Sequence, residues 1–221
     1  MLLTYRNPKI DKSTKLGYLT CGLHLAPANV SGYEVCPDAS KGCRKACLNY
    51  SGRGKCNNCQ QSRIRRTRLL FEKPRAFYVQ LHQELVRFVK YCQKHGYKPA
   101  CRLNLTSDIE WERLIPQIFT DFPSVQFYDY TKSYRRLRDN KTPNYHLTFS
   151  RSESNSFHTT WALKTGHNVA VVFEHKPATW HGHTVVNGDE HDLLFLHPKN
   201  SVVGLKPKGR AKHDMSGFVI R

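Results

Sequence analysis

The sequence predicts an α/β fold of TIM-barrel type, a complete or partial (β/α) barrel of six to eight strands with a cysteine-rich loop near its N-terminus. Three observations carry this. The strand-like runs "CRLNL", "VQFYDY", "YHLTFS" and "VAVVFE" begin about 20 to 24 residues apart, the spacing of a β-α unit. Helix-sized segments, "IEWERLIPQIF", "KSYRRLRD" and "NSFHTTWALKTG", lie between them. No linker rich in Pro, Gly or Ser divides the chain, so residues 1–221 are expected to form one domain.

Taken in order, "LGYLTCGLHLAP" is expected to supply a first strand, and the cysteine-rich loop follows at about residues 36–59. From "NNCQQSR" to "YCQKHG" the chain reads as helix, interrupted near Pro74 and closed by Gly96. Its second half repeats Phe77, Leu81, Leu85, Phe88 and Val89 at steps of three and four, which marks one buried face. After the four strand-like runs, "DLLFLHP", "SVVGL" and "GFVI" are expected to add two or three strands. "VVNGDEHDLLF" reads as a hairpin with Asn187 and Gly188 at its turn.

The formal charge of +18 favours a polyanionic partner, RNA or DNA, reached through a basic surface. Part of the excess sits in "RIRRTR" (Arg63 to Arg68) and "YRRLR" (Tyr134 to Arg138), although no nucleic-acid recognition module is visible. The N-terminus becomes charged within six residues, and no apolar run reaches the roughly 18 residues that cross a bilayer. A soluble protein without a secretory signal or membrane partner is expected.

Five of the eight cysteines fall within 24 residues, and Cys36, Cys43 and Cys47 are spaced C-x6-C-x3-C. That is neither a zinc-ribbon nor a ferredoxin spacing. Three thiolates converging from an irregular loop suit a [4Fe-4S] cluster, with zinc as the alternative, and Cys36, Cys43 and Cys47 are the expected ligands. A fourth ligand from "CNNC" (Cys56, Cys59) would close the cluster, whereas three ligands would leave one iron open to a substrate. Lys41, Arg44, Lys45, Arg53 and Lys55 offer positive charge to the thiolates, and Gly42, Gly52 and Gly54 permit close backbone approach. Cys21, Cys92 and Cys101 read as buried small hydrophobes.

Barrels carry their chemistry at the C-terminal ends of the strands, where this chain is unusually polar. Asn104, Thr106, Ser107 and Asp108 follow the first run, Asp129, Thr131 and Lys132 end the second, Ser150, Arg151 and Glu153 follow the third, and Glu174 and His175 the fourth. The catalytic candidates at this mouth are Asn104, Ser107, Asp108, Tyr128, Tyr130 and Lys132; Ser107 or Asp108 equally suits a helix cap near Ile109. His181, His183, His191 and His197, with Asp189, Glu190 and Asp192, offer a second metal-ligand set in a loop where polar residues gather anyway.

The blocks "GYLTCGLHLAPANVSGYEVCPDASKGCRKACLNYSGRGK", "RLNLTSDIEWE", "FYDYTK" and "VNGDEHDLLFLHP...VVGLKPKGRAKHDMSGFV" resemble the bacteriophage Gene product 88 domain proteins, in order and over nearly the whole chain. The resemblance implies a phage-encoded protein working in the cytoplasm of the infected bacterium, with a cysteine triad at Cys36, Cys43 and Cys47 and with Cys21, Cys56 and Cys59 outside the pattern. It assigns no reaction. A cysteine triad after the first strand of a barrel also resembles radical S-adenosylmethionine enzymes, although their C-x3-C-x2-C spacing is absent. The expected function is an iron-sulfur enzyme doing Lewis-acid, redox or sulfur-transfer chemistry on a small molecule or RNA; the alternative is a basic nucleic-acid-binding protein braced by a structural metal.

Overall fold

Side-chain alternation along the central strands sorts the molecule into two faces. The computed structural model describes residues 1–5 and 12–221; residues 6–11, within the charged N-terminal stretch, and the side chain of Arg53 lie outside the described residues. The strand-like runs form β3 (Lys98–Arg102), β4 (Gln126–Thr131), β5 (Tyr145–Ser150) and β6 (Val169–Phe173), preceded by β1 (Leu3–Thr4) and β2 (Tyr18–Leu23). Odd-numbered residues such as Cys21, Cys101, Phe127, Phe149 and Val171 join one large core. Their even-numbered neighbours Ala100 and Tyr128 join a second, smaller cluster on the other face.

Helices cover the first face. The long helical stretch is broken where the sequence breaks it, into α2 (Asn57–Glu72) and α3 (Pro74–Lys94), with Pro74 at the first position of α3, where its missing N–H costs nothing. Phe77, Leu81, Leu85 and Phe88 of α3 are fully or almost fully buried in the large core. Gly96 then takes a φ of 72°, the left-handed conformation that ends a helix most readily at glycine. Further helices are α1 (Lys41–Lys45), α4 (Trp111–Leu114), α5 (Gln117–Asp121), α6 (Tyr134–Asp139) and α7 (Ser156–Lys164), of which α6 and α7 pack on β5.

The sheet does not close, which corrects the expected barrel. Its ten strands run in the order β1-β2-β3-β4-β5-β6-β9-β8-β7, with β10 (Val219–Ile220) also on β6. Strands β2 to β6, β9 (Val202–Leu205) and β8 (His183–Asn187) are mutually parallel, as the β-α spacing implies. A barrel needs its first and last parallel strands to meet. Here the free edge of β2 is taken by antiparallel β1, and that of β8 by antiparallel β7 (Thr179–Trp180). The result is an open, mixed sheet.

Two local expectations also change. "DLLFLHP" forms no strand; Leu194–Leu196 make a single 3-10 turn that lies on β4 and β5 and covers the second face. The hairpin sits one segment earlier than expected, pairing β7 with β8 around His181 and Gly182. Both turn residues have positive φ, 49° and 79°, the combination that matches strand twist in a two-residue turn.

Edge strand β1 is only two residues long and is held from the helical side. The buried carboxylate of Glu84 on α3 accepts from the Leu2 N–H at 2.7 Å and the Leu3 N–H at 2.8 Å. Removing it strands two buried amides, each worth about 1–3 kcal/mol. Glu84→Ala is therefore expected to lower stability in urea by about 3 kcal/mol and to speed hydrogen exchange at Leu2 and Leu3. Unchanged exchange at those two amides contradicts this assignment.

Candidate active site

Past β3, the chain turns back on itself around one side chain. Asn104 Oδ1 accepts from Ser107 Oγ at 2.7 Å, from the Ile109 N–H at 3.0 Å and from Trp111 Nε1 at 3.0 Å, while its amide donates to the Ile109 carbonyl at 2.9 Å. Asn104 is almost fully buried with its polar atoms occupied, so it shapes the loop. Ser107 is spent on it. Asp108 is spent as well, accepting from Arg136 Nη1 at 2.7 Å and the Lys132 N–H at 2.8 Å.

Those bonds belong to one buried network. Arg136 of α6 donates to both carboxylate oxygens of Glu112, at 2.7 and 2.8 Å, and to the Tyr145 hydroxyl at 2.9 Å. That hydroxyl donates to Asp129 Oδ2 at 2.8 Å, and Asp129 Oδ1 accepts the Asn104 N–H at 2.8 Å. The loop after β3 is thereby tied to β4, to the start of β5 and to α6.

Above the second face, at these strand ends, lies a cavity of about 250 Å3. Its floor is the even-numbered set of strand residues, Arg102, Tyr130, Ser150, Ala170 and Val172, with Leu205 of β9 beside them. Of the sequence-predicted candidates, Asn104, Ser107, Asp108, Tyr130 and Lys132 line it. Tyr128 does not; it packs deeper, with Ala100, Leu193 and Leu194. Arg151 ties the C-terminal segment down by donating to the Phe218 carbonyl at 3.0 Å, whereas Glu174 and His175 are exposed.

The cysteine loop forms the opposite wall, bringing Cys36, Cys43 and Cys47 to the same cavity. Glu153 holds it there, accepting from the Gly42 N–H at 2.7 Å and from Ser40 Oγ at 2.8 Å. Ser40 Oγ in turn caps α1 through the Cys43 N–H at 3.1 Å. A Cβ at Gly42 would press on the Glu153 carboxylate and the Ser216 hydroxyl, so glycine lets that carboxylate approach the backbone this closely.

Sharing a cavity does not make the thiols a metal centre. Among the described residues, no group of three or more His, Cys, Asp or Glu side chains is arranged to hold a metal ion. The expected [4Fe-4S] cluster and its zinc alternative are therefore not supported by the donor geometry. Each thiol has separate surroundings instead. The Cys36 sulfur accepts from the Ala28 N–H at 3.4 Å and donates to the Thr106 carbonyl at 3.8 Å, and burial pushes its pKa up to about 12. Burial also raises the Cys47 thiol. Cys43 faces the half-buried ammonium of Lys132, which donates to Ser150 Oγ at 2.9 Å. Burial opposes that ammonium's charge, but the Cys43 sulfur and Asp108 carboxylate more than offset it and raise its pKa.

The histidine-rich segment is likewise dispersed. His191 and His197 stack at 4.7 Å, but Asp189 is taken by Lys176 and Lys208 at 3.1 and 2.9 Å, and Asp192 by Arg102 at 2.9 Å. Cys56 and Cys59 lie outside the cavity lining, and Cys21, Cys92 and Cys101 are buried in the core.

Among the lining residues that escaped the sequence reading are Arg102, Lys206, Lys208 and Phe218. Arg102 stacks on the Tyr130 ring at 4.7 Å, and its Nε and the Tyr130 hydroxyl are buried without a hydrogen-bond partner. The two lysines follow β9 as Lys132 follows β4, a signal hidden until β9 was known to sit beside β6.

A family model for Gene product 88 matches residues 1–221. The chain belongs to the Gene product 88 family. This confirms the phage resemblance across the whole length. No curated protein and no solved structure matches this Gene product 88 chain, so the chemistry of its cavity is read from its own residues. No helix among the described residues is long and apolar enough to cross a membrane.

Asp129 carries a measurable consequence. Burial raises its pKa to about 7, with Arg102, Tyr145 and Asn104 opposing. The unfolded carboxyl titrates near 3.9, so between about pH 4 and 7 the folded chain keeps a proton that the unfolded chain has lost. Asp129 thus favours folding at low pH, and its contribution is lost as pH rises through the folded pKa. Measured against wild type in urea, Asp129→Asn is expected to gain relative stability from about pH 4 to 7 and to level off above. A difference that does not vary with pH contradicts the protonated carboxyl.

Proposed function

We propose that this Gene product 88 protein is an enzyme that acts on an anionic small molecule in the cavity, with the Cys43 sulfur as nucleophile. The observation that carries the reading is the Cys43–Lys132 pair, placed inside a cavity at the C-terminal ends of parallel strands, where such sheets bind their ligands. Four cations, Arg102, Lys132, Lys206 and Lys208, and one carboxylate, Asp108, line the walls; Arg102 is paired with Asp192 and Lys208 with Asp189, so Lys132 and Lys206 are the cations offered to a ligand. Asp108 is already bound to Arg136, which leaves the wall attractive to an anion. Ala170, Val172, Leu205 and Phe218 accept the apolar part of such a molecule.

In the proposed step, Cys43 Sγ attacks an electrophilic carbon or sulfur of the substrate. The Cys43 proton passes to solvent, a bond to its sulfur forms, and the bond to the leaving group breaks, the leaving group departing with the electron pair. Lys132 holds the substrate anion and the developing charge beside the sulfur. Cys36, held as a thiol by burial, does not compete. The cytoplasm of the infected bacterium suits this chemistry, because reducing conditions keep thiols free.

A second reading, nucleic-acid binding, is favoured by one exposed feature. The Tyr134 ring stacks on His158 at 4.0 Å, with the Arg135 and Arg138 guanidiniums near it at 6.0 and 5.9 Å, beside the exposed Phe157. On that reading cavity substitutions leave polyanion binding untouched.

Charged and neutral alkylating reagents test the enzyme reading. Iodoacetate is expected to modify Cys43 faster than iodoacetamide does, and Lys132→Met to slow the iodoacetate reaction about tenfold. The exposed Cys56 serves as the control and keeps its iodoacetamide rate in the variant. Equal iodoacetate rates at Cys43 with and without Lys132 would falsify the proposal.

A further inference from the structure

Cys56 and Cys59 are left without a role by the cavity. They sit one helical turn apart at the start of α2, with Cys56 at the N-cap, exposed, and Cys59 half-buried beneath it. Both are free thiols, and their sulfurs are in hydrogen-bond contact at 2.6 Å. We propose that Cys56 and Cys59 form a thiol–disulfide exchange site whose substrate is a low-molecular-weight disulfide.

Three features separate this pair from the other six cysteines. First, it is accessible: Cys56 is exposed, whereas Cys21, Cys92 and Cys101 are buried among apolar side chains. Second, it is vicinal in space, so one sulfur can attack and the other can resolve without movement of the fold. Third, its setting is electropositive. The sulfurs lie at the positive end of the 16-residue α2, and Arg63 and Arg66 of the same helix act on Cys59, Arg63 also on Cys56.

The two thiols are also unequal. The Cys56 pKa is lowered, first by its hydrogen bond with the Cys59 thiol and then by the Cys59 amide, with Arg63 adding to the effect. Cys59 is raised by the same hydrogen bond. That inequality sets the order of events: the exposed Cys56 attacks and Cys59 resolves.

Cys56 thiolate attacks one sulfur of the disulfide RSSR, the S–S bond breaks, and the first RS⁻ leaves with the electron pair. Cys59 then gives up its proton and attacks the Cys56 sulfur of the mixed disulfide, expelling the second RS⁻. The protein loses two protons and two electrons, and RSSR becomes two RSH.

Glutathione and its disulfide are suitable probes for the full-length chain. Trypsin cleaves after Lys55 and Arg63, releasing "CNNCQQSR", which holds this pair and no other cysteine. In buffers of increasing oxidised-to-reduced glutathione ratio, acid-quenched samples should show this peptide lighter by two hydrogens. The peptides holding Cys36, Cys43 and Cys47 should stay reduced at the same ratios. Cys59→Ser should halt the reaction at one glutathione bound to Cys56. The proposal is overturned if both thiols remain alkylatable in excess oxidised glutathione, if each carries its own glutathione, or if Cys56 pairs with a cysteine other than Cys59. None of these readouts depends on Lys132 or on turnover in the cavity.

Discussion

The guanidinium of Arg136 is the point on which the site depends. It is almost fully buried on α6, yet it bonds Asp108 from the loop after β3, Glu112 of α4 and Tyr145 of β5. Burying a charge is costly unless it is paired and its hydrogen-bonding capacity used. Here the cost is met by three partners drawn from three separate segments, so the segments can adopt no other mutual arrangement without leaving the charge unpaired. Removing one partner of such a network typically costs about 3–5 kcal/mol.

The consequence reaches the cavity through the backbone. Asp108, fixed by Arg136, accepts the Lys132 N–H, and so determines where the Lys132 side chain starts its path to Cys43 and Ser150. On the facing wall, Glu153 does the same for α1 by binding its N-terminal N–H and its capping serine. Two carboxylates already occupied by hydrogen bonds within the fold thus set the approach of a sulfur and an ammonium. Only the first bonds to Arg136.

Much of this was legible in the sequence, and the exceptions share a cause. Local signals worked where neighbours in the chain decide the outcome: Pro74 and Gly96 bound α3, the Phe77–Leu81–Leu85–Phe88 stripe is its buried face, and the β-α rhythm gives parallel strands. Of the polar residues at those strand ends, Asn104, Thr106, Ser107, Asp108, Thr131, Lys132 and Ser150 gather at one cavity, because parallel strands share one C-terminal edge, whereas Asp129, Arg151, Glu153, Glu174 and His175 do not line it. What failed depends on strand order. Nothing in "SVVGL" tells that it inserts between β6 and β8, and nothing in the short "LLT" or "TW" tells that antiparallel strands seal the two edges and prevent closure. The cysteine spacing was equally silent about direction. Cys36 is engaged by Ala28 and Thr106 while Cys43 faces Lys132, a divergence set by contacts distant in the chain. Tyr128 illustrates depth: it lies on the correct face but too far down β4 to reach the cavity.

On the proposed function, Arg136 positions Lys132 for Cys43 without lining the cavity itself. Arg136→Gln, studied below its own unfolding midpoint, measures this most directly through the ratio of iodoacetate to iodoacetamide rates at Cys43. The ratio is expected to fall to that of a chain lacking the Lys132 charge while far-UV circular dichroism stays that of the folded protein. A variant that loses stability but keeps the wild-type ratio contradicts that positioning.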